Sequence, residues 1–165
     1  MISIKLAYID RVESVLDNLS TATADLRQPM RVIAQGMATE VDLGFSREED
    51  PWGEAWERLS DVTLSRRRGS SAQILSDTGV LSNSFHADSD NKSAQVGTND
   101  KRAGTLQYGA KKGAYGRTSR GGPIPWGDIP PRAMVPIKDG RVDLPGSWVE
   151  TVLDALTAHI ELASK

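Results

Sequence analysis

Residue types that commonly perform catalysis are scarce in this chain of 165 residues. It contains no cysteine and only two histidines, His86 and His159, which are far apart in the sequence. The lack of cysteine excludes disulfides, thiolate metal sites, iron–sulfur clusters and cysteine nucleophiles, and is typical of cytosolic proteins. Because neither histidine has a second histidine nearby and no Gly-x-Ser-x-Gly element occurs, the sequence favours neither a histidine metal site nor a serine hydrolase.

Two acidic motifs are the remaining candidates for chemistry. Residues 77–79, Asp-Thr-Gly, match an element of aspartic proteases, whose reaction needs two carboxylates. A single copy is more typical of a turn, in which aspartate bonds its own backbone and glycine accepts a positive φ. The run Glu48, Glu49 and Asp50 lacks the Asp-x-Asp-x-Asp-Gly spacing of calcium loops and is more simply a solvated charge run. Since no phosphate-binding Gly-x-x-x-x-Gly-Lys element occurs either, we expect no enzyme, cofactor or metal.

Charge is distributed unevenly, although the formal net charge is only −2. Residues 1–57 carry five basic and eleven acidic side chains, a net of −6, whereas residues 58–120 carry eleven basic and five acidic ones, a net of +6. Residues 121–165 carry four basic and six acidic side chains, a net of −2. Solvated faces are the simplest explanation. The alternative is a pair of complementary surfaces that join copies of the chain head to tail.

Two basic segments raise nucleic-acid binding as a second functional class. The segments 66–68 and 111–120 could contact phosphates, and Tyr108, Tyr115 and Trp126 are spaced as stacking platforms for bases would be. Against duplex binding as the main role, the chain is acidic overall and no predicted helix presents a basic recognition face. A basic surface that lines a channel for passing nucleic acid stays open as an alternative.

Hydrophobic spacing in the N-terminal part predicts a strand and then a long helix. Apolar and polar residues alternate over 2–8, as in a half-buried strand. From Asp10 to about residue 43 apolar residues recur every three or four positions, which predicts one amphipathic helix. Pro29 interrupts this stripe without changing its phase, so we expect a kinked helix or two helices that meet there. Gly44 is the predicted end of the helix.

Turn residues and short apolar runs divide the rest of the chain. Residues 45–60 are predicted to form an acidic loop that presents Trp52 and Trp56, on one patch if its second half is helical. After it, strands are predicted over 80–86 and 93–98, which form a hairpin, and a structureless glycine-rich basic loop is predicted over 109–128. A last strand is predicted near 133–137. The final helix is predicted to start at a Ser147–Glu150 capping box, with His159 at the edge of its apolar stripe.

Strands in the middle of the chain with helices at both ends predict an α+β fold. We expect a mostly antiparallel sheet, with a long N-terminal helix and a C-terminal helix packed on it, in a single domain over 1–165 with loop arms at about 45–73 and 109–132. Hydrophobic residues are 38% and aromatic residues 5%, so the predicted core is thin. No apolar run approaches the roughly 18 residues of a membrane span, and the N-terminus does not resemble a signal peptide.

Several short segments occur together and in a distinctive order. They are 50–60 (Asp-Pro-Trp-Gly-Glu-Ala-Trp-Glu-Arg-Leu-Ser), 74–85 (Ile-Leu-Ser-Asp-Thr-Gly-Val-Leu-Ser-Asn-Ser-Phe), 96–98 (Val-Gly-Thr), 107–109 (Gln-Tyr-Gly) and 129–132 (Ile-Pro-Pro-Arg). In this series the chain resembles the phage virion morphogenesis family, the tail completion proteins of Mu-like and P2-like tailed bacteriophages. The family usually has histidine where this chain has Leu106, and Pro-Phe where it has Ala133-Met134.

The resemblance implies a structural virion protein rather than an enzyme. It would complete or terminate the tail, or act at the head–tail joint, as a ring of identical subunits, often six. The alternatives are a head–tail connector or capsid assembly factor, and the small nucleic-acid-binding protein described above. Expected partners are copies of itself, the tail tube protein and head–tail connector proteins, with passing contact with DNA in the channel and none with a membrane. The expected location is the virion, after assembly in the host cytoplasm.

In such a ring the acidic segment 40–57 is predicted to meet the basic region 66–120 of a neighbour. Aromatic residues are enriched at the buried centres of interfaces, so the exposed tryptophans would be anchors, although packing beneath the loop is an alternative for Trp52 and Trp56. The predicted interface residues are Glu48, Glu49, Asp50, Trp52, Trp56, Arg66, Arg67, Arg68, Lys111, Lys112, Arg117, Arg120 and Trp126.

Overall fold

The computed structural model describes residues 7–67 and 72–164, and it has the predicted α+β composition. The helices are α1 (Ala7–Ala24), α2 (Arg27–Arg47), α3 (Asp61–Ser65), α4 (Ala103–Tyr108) and α5 (Gly146–Ala163). The strands are β1 (Phe85–Ser89), β2 (Ala94–Thr98), β3 (Ile137–Lys138) and β4 (Arg141–Val142). Both sheets are antiparallel pairs, β1 with β2 and β3 with β4, so the fold class is confirmed with little sheet and much helix.

The predicted long helix is two helices, the second of the two alternatives. The helical conformation is interrupted just before α2, and Pro29 lies in the first turn of that helix. Backbone N–H groups in a first turn have no partner within the helix, so the N–H that proline lacks costs no intrahelical hydrogen bond. Asn91, in the turn between β1 and β2, closes the break from the other side. Its Oδ1 accepts a hydrogen bond from the N–H of Leu26 at 2.6 Å, and its Nδ2 donates to the carbonyl oxygen of Ala24 at 3.0 Å.

Two predicted boundaries near these helices are wrong. Most of the strand predicted over 2–8 lies outside the described residues, but Ala7 and Tyr8 already belong to α1. Gly44 does not end α2, which continues to Arg47. The helix ends there because Glu48 takes a left-handed conformation, with a φ of 60°.

Helix α2 lies at the centre of the fold. It packs against the β1–β2 hairpin and against α5, and α5 also packs against α1. The aromatic ring of Phe45, at the end of α2, lies 5.5 Å from the ring of Trp56 and 5.8 Å from that of Phe85, measured between centroids. The buried cluster around it consists of Val41, Phe45, Trp56, Ile74, Leu81, Met134 and Trp148. The core therefore joins α2 and α5 to three irregular segments that lie between them in the sequence.

The predicted hairpin is present, but its first strand is displaced along the chain, from the predicted 80–86 to Phe85–Ser89. Strand β1 begins at Phe85, which pairs with Thr98 of β2. Residues 80–84, predicted as part of that strand, form a turn and a single 3-10 turn after Gly79, whose φ of +71° fits the predicted turn. The last strand, predicted near 133–137, is displaced toward the C-terminus, where β3 pairs with β4.

The C-terminal helix α5 is present, but the predicted capping box is wrong. Pro145 occupies the N-cap position and no side chain closes that end of the helix. Ser147 lies inside the first turn, and the N–H groups of Trp148 and Val149 donate instead to the carbonyl oxygen of Pro145, each at 3.1 Å. Trp148 is buried, and it anchors this end of α5 to the core.

His159, which was predicted at the edge of the apolar stripe of α5, connects α5 to α1. Its Nε2 is 3.0 Å from the carbonyl oxygen of Ala22 in α1. This contact supports a structural role for the histidine. Within residues 7–67 and 72–164, no helix has the length and apolar character that a membrane span requires.

Candidate assembly surfaces

The tryptophan loop, residues 48–60, folds into the core instead of projecting from it. Trp56 is only 6% exposed, and its indole N–H donates to the carbonyl oxygen of Ala133 at 2.9 Å. Its backbone N–H donates to the carbonyl oxygen of Glu48 at 2.8 Å. The prediction that Trp56 is an exposed interface anchor is therefore wrong. The second half of the loop is not helical either, so Trp52 and Trp56 do not share one patch.

Two acids of this loop are used within the fold. The carboxylate of Glu48 accepts a hydrogen bond from the N–H of Ile74 at 2.6 Å, which ties the end of α2 to a segment far along the chain. The carboxylate of Asp50 accepts from the N–H groups of Trp52 and Glu54, each at 2.9 Å. Each of these carboxylates thus uses one oxygen, Oε1 of Glu48 and Oδ1 of Asp50, to hold the backbone of its own chain. The described residues contain no cluster of three or more histidine, aspartate or glutamate side chains arranged for a metal ion.

Trp52 stays at the surface as a half-buried ring. The ammonium of Lys138 lies over it, 4.0 Å from the ring centroid, so a cation–π contact connects the tryptophan loop to β3. Together with Glu49, Arg47 and Trp148, the ring lines an open cavity of about 300 Å³. Trp52 and Glu49 therefore keep part of their surface available, and both stay predicted interface residues.

Gln107 is a buried polar residue that sequence reasoning missed. It is 6% exposed at the end of α4. Its Oε1 accepts from the N–H groups of Met134 and Val135 at 2.7 and 3.2 Å, and its Nε2 donates to the carbonyl oxygen of Val135 at 2.9 Å. One side chain thus satisfies three backbone groups, and it fixes the irregular chain after residue 132 against α4.

Arg132 is the second buried polar residue outside the predicted set, and it is 5% exposed. Its guanidinium donates to the carbonyl oxygen of Glu57 at 2.9 and 2.7 Å and to that of Arg58 at 3.3 Å. Burial lowers the pKa of Arg132 from its ordinary value, and the charge of Glu57 opposes that shift. The arginine therefore fastens the tryptophan loop to the Ile-Pro-Pro-Arg segment. The available signal in the sequence was one arginine within an otherwise apolar, proline-rich run.

Gly109 marks the point where two of these segments approach most closely. Its φ is +72°, and a Cβ placed on it would lie 2.6 Å from the carbonyl oxygen of Ile129 and 2.9 Å from the nitrogen of Pro131. Any side chain there would clash with backbone atoms. Glycine is required for both its conformation and its size.

A cleft of about 620 Å³ lies between the segments that Gln107 and Arg132 hold together. It is lined by Arg58, Leu59, Thr63, Leu81, Leu106 and Pro130, among others. Neither His86 nor His159 lines it, so the cleft assembles no serine–histidine or threonine–histidine pair. Its walls include residues from three of the ordered segments, 50–60, 74–85 and 129–132.

The basic loop, residues 109–132, is ordered rather than structureless. Its two ends pair through Ala110 and Ile129, whose backbone groups exchange hydrogen bonds of 2.9 and 2.7 Å. Further along, the N–H of Tyr115 donates to the carbonyl oxygen of Ile124 at 2.8 Å. The tyrosine hydroxyl also lies 2.7 Å from that of Thr105, which fastens the loop to α4. The basic loop is therefore an irregular hairpin with a defined shape.

Several charged and aromatic side chains of the basic loop project into solvent, although Arg132 at its end is buried. Trp126 is 73% exposed, the largest fraction among the exposed large hydrophobic residues. Lys111 pairs with Asp128 at 2.9 Å, and this contact raises the pKa of the lysine and lowers that of the carboxyl. Lys112, Arg117 and Arg120 are exposed as well. The predicted residues of this loop are therefore exposed on one ordered hairpin, and they stay predicted interface residues.

The first basic segment, 66–68, is placed differently. Arg66 is exposed at the end of α3, and Arg67 is half-buried and lines the cleft. Arg68 lies outside the described residues. Arg67 thus borders the cleft, whereas residues 111–120 belong to the ordered basic loop.

The chain matches one protein family over nearly its whole length and two phage proteins over about two thirds of it. The model of the phage virion morphogenesis family matches residues 7–159. Protein G of Escherichia phage Mu, whose name describes a capsid assembly protein, is 31% identical over 105 residues, which are 61% of this chain and 67% of the relative. The Mu-like prophage FluMu G protein 2 of Haemophilus influenzae is 34% identical over 113 residues, 68% of this chain and 74% of the relative. No solved structure matches the chain significantly.

Proposed function

Because the chain belongs to the phage virion morphogenesis family and so has a structural or assembly role in a phage particle, we propose that it completes or terminates the tail. In this proposal it joins the tail to the head as one subunit of a closed ring, with about six copies. Its partners are other copies of itself, the tail tube protein and the head–tail connector proteins. It works within the virion and catalyses no reaction.

The observation that supports this proposal is the contrast between a tightly fastened interior and a projecting surface. Gln107 and Arg132 hold the segments around the cleft with hydrogen bonds to backbone groups, which is an arrangement for rigidity. The basic loop instead presents Trp126 and several cations to solvent on an ordered scaffold. Exposed aromatic side chains on rigid elements are typical of interface anchors.

Deletion of the gene from a phage genome, followed by electron microscopy of the lysate, tests this function. If the protein completes the tail, its deletion should give filled heads and separate tails that fail to join, or tails of irregular length. Supplying the wild-type gene on a plasmid should restore complete particles, and the protein should be present in purified virions. Normal, infectious virions that lack the protein would exclude the proposal.

Capsid assembly is the second candidate, because the relative in phage Mu is named for it. The same deletion separates the two functions. A capsid assembly factor predicts aberrant or empty heads beside normal tails, whereas a tail completion protein predicts normal heads. The position of the defect in the images therefore decides between them.

Nucleic-acid binding is favoured by one observation, the exposed cationic side chains and aromatic rings of the basic loop. Lys112 and Arg120 project into solvent beside Tyr115 and Trp126. Binding through phosphates predicts that the logarithm of the affinity falls with the logarithm of salt concentration, with a slope of about −0.9 for each phosphate contacted in a duplex. Measurements at about 50 mM salt are the most sensitive, and absence of binding to duplex and single strands there would remove this candidate.

A further inference from the structure

Helix α5 carries an apolar stripe that the rest of the described chain leaves exposed. Val149, Leu153 and Ile160 are 39%, 56% and 47% exposed. With half-buried Leu156 between them, they follow the i, i+4, i+7, i+11 spacing of one helix flank. A different seam of the helix, which includes Trp148, packs against the core. The exposed stripe is thus an additional apolar surface, separate from the one that stabilises the fold.

A row of acids runs beside this stripe. Each of the three exposed apolar residues is followed directly by a carboxylate, namely Glu150, Asp154 and Glu161. These acids repeat with the same spacing, so they line one side of the stripe. The sequence of α5 contains no lysine or arginine to neutralise them. The helix therefore presents an apolar strip with an acidic border.

The basic loop has the complementary composition. Its exposed apolar residues are Tyr115, Ile124 and Trp126, at 57%, 38% and 73% exposure. Its exposed cations are Lys111, Lys112, Arg117 and Arg120. Lys111 already pairs with Asp128 near the other end of the loop, and no acid occurs between Ala110 and Gly127. Because both this loop and the α5 stripe are exposed in one molecule, they do not cover each other within it. Within residues 7–67 and 72–164, nothing covers either surface completely.

We propose that the basic loop of one copy docks on the α5 stripe of a second copy, with Trp126 on the apolar strip and the cations against its acidic border. The inference rests on the proposed function, since it names the contact by which the ring forms. Two different patches make a head-to-tail contact, which closes into a ring when the rotation between subunits permits. The loop already has a defined shape, so docking requires little ordering of its backbone.

This contact differs from the one predicted from the sequence, in which the segment 40–57 supplies the acidic partner. The carboxylates of Glu48 and Asp50 bond to backbone groups of their own chain. The acids of α5 border an exposed apolar strip instead. Interfaces combine apolar cores with polar rims, and α5 offers both on one surface.

Cysteine cross-linking tests the docking directly, because the chain has no cysteine of its own. The full chain carries Ser119→Cys at the tip of the basic loop and Thr157→Cys beside the α5 stripe, both exposed positions. The matched control pairs Ser119→Cys with Thr39→Cys, an exposed position on α2. Under mild oxidation at up to about 1 mM, where even contacts with a millimolar Kd are populated, we expect disulfide-linked oligomers from the first pair and about tenfold fewer from the control. Equal yields, or none from the first pair, would overturn the proposal.

Charge reversal supplies a second test that does not depend on cross-linking geometry. Lys112→Glu with Arg120→Glu should weaken self-association at least about tenfold, and so should Glu150→Lys with Asp154→Lys, because each opposes like charges across the contact. All four substitutions in one chain should restore association, and so should a mixture of the two variants, in which each partner carries one intact surface. If the fourfold variant associates no better than either pair, these surfaces do not meet.

The outcomes separate this inference from the function on which it rests. Tail defects in the deletion phage together with no cross-link at these positions, in solution and in purified virions, would leave the function in place and reject the contact. If the protein forms cross-linked oligomers but is absent from purified virions, the contact would be supported and the proposed function rejected.

Discussion

The tryptophan loop and the basic loop have similar sequences in outline but opposite positions in the structure. Each carries tryptophan near glycine and proline, each has a concentration of one charge sign, and both were predicted as assembly arms. Trp56 of the first loop is 6% exposed, whereas Trp126 of the second is 73% exposed. The local sequence therefore does not decide whether such a loop becomes core or surface.

The difference comes from what each loop finds in the rest of the chain. Trp56 meets Phe45 edge-on and finds a carbonyl partner for its indole N–H at Ala133. Burial of an indole is stabilising when its N–H is satisfied. The ring of Trp126 lies against its own loop, about 3.0 Å from the position that a Cβ on Gly122 would occupy. The ring stays 73% exposed, so its area is available for a partner.

The largest effect should come from removing the buried ring. We expect Trp56→Ala to lower the free energy of unfolding by about 3–5 kcal/mol, since it removes a large core side chain and leaves a cavity. Trp126→Ala is the matched control and should change it by less than about 0.5 kcal/mol, as for other exposed positions. Denaturant unfolding followed by circular dichroism measures both. Equal losses would mean that the two loops are equivalent, contrary to the structure.

Arg132 tests the fastening of the tryptophan loop to the core. Arg132→Ala leaves the carbonyl oxygens of Glu57 and Arg58 without their charged donor, and we expect a loss of about 2–3 kcal/mol in the free energy of unfolding. Arg132→Lys should recover part of it, because lysine keeps the charge but not the planar fork of donors. The same denaturant experiment provides the values. An alanine variant as stable as the wild type would show that these bonds contribute nothing net.

Substitution of two glycines of the basic loop distinguishes the destabilisation caused by a steric clash from that caused by an unfavourable backbone conformation. Gly109→Ala places a methyl group 2.6 Å from a backbone oxygen at positive φ, and we expect a loss of about 1–3 kcal/mol. Gly116 has a φ of +96° with open space around its Cβ position, so Gly116→Ala pays only the conformational part and should lose less. Thermal unfolding of the two variants ranks them. The reverse order would indicate that the ends of the loop do not meet as described.

The smallest effect concerns the ion pair of the basic loop. The ammonium of Lys111 and the N–H of Lys112 hold the pKa of Asp128 below its ordinary value of 3.8. Because the pKa is lowered in the folded state, the stabilising contribution is present above the ordinary value and is lost as pH falls through the folded pKa. We expect Lys111→Ala to raise the pKa of Asp128 toward 3.8, measured by NMR titration of its carboxyl carbon. An unchanged titration would mean that the pair does not form in solution.

Sequence patterns were sufficient wherever the determinant is local. The helical stripe from Asp10 onward, the positive φ of Gly79 and the presence of the β1–β2 hairpin follow from spacing and turn chemistry, and the structure confirms them. The family was also predicted from the order of short segments, and the family match over residues 7–159 confirms it. Boundaries were less predictable. The end of α2 depends on Glu48, whose left-handed conformation is accompanied by a bond to distant Ile74.

Long-range partners decided the rest. Composition and order along the chain established an α+β phage assembly protein, because periodicity and motifs are properties of neighbouring residues. Only the tertiary structure decided that Trp56 belongs to the core, that Gln107 and Arg132 fasten the segments around the cleft, and that Trp126 and the α5 stripe stay exposed. Each of these positions depends on groups that lie far away in the sequence. Burial follows from the availability of such partners, and they meet only when the chain folds.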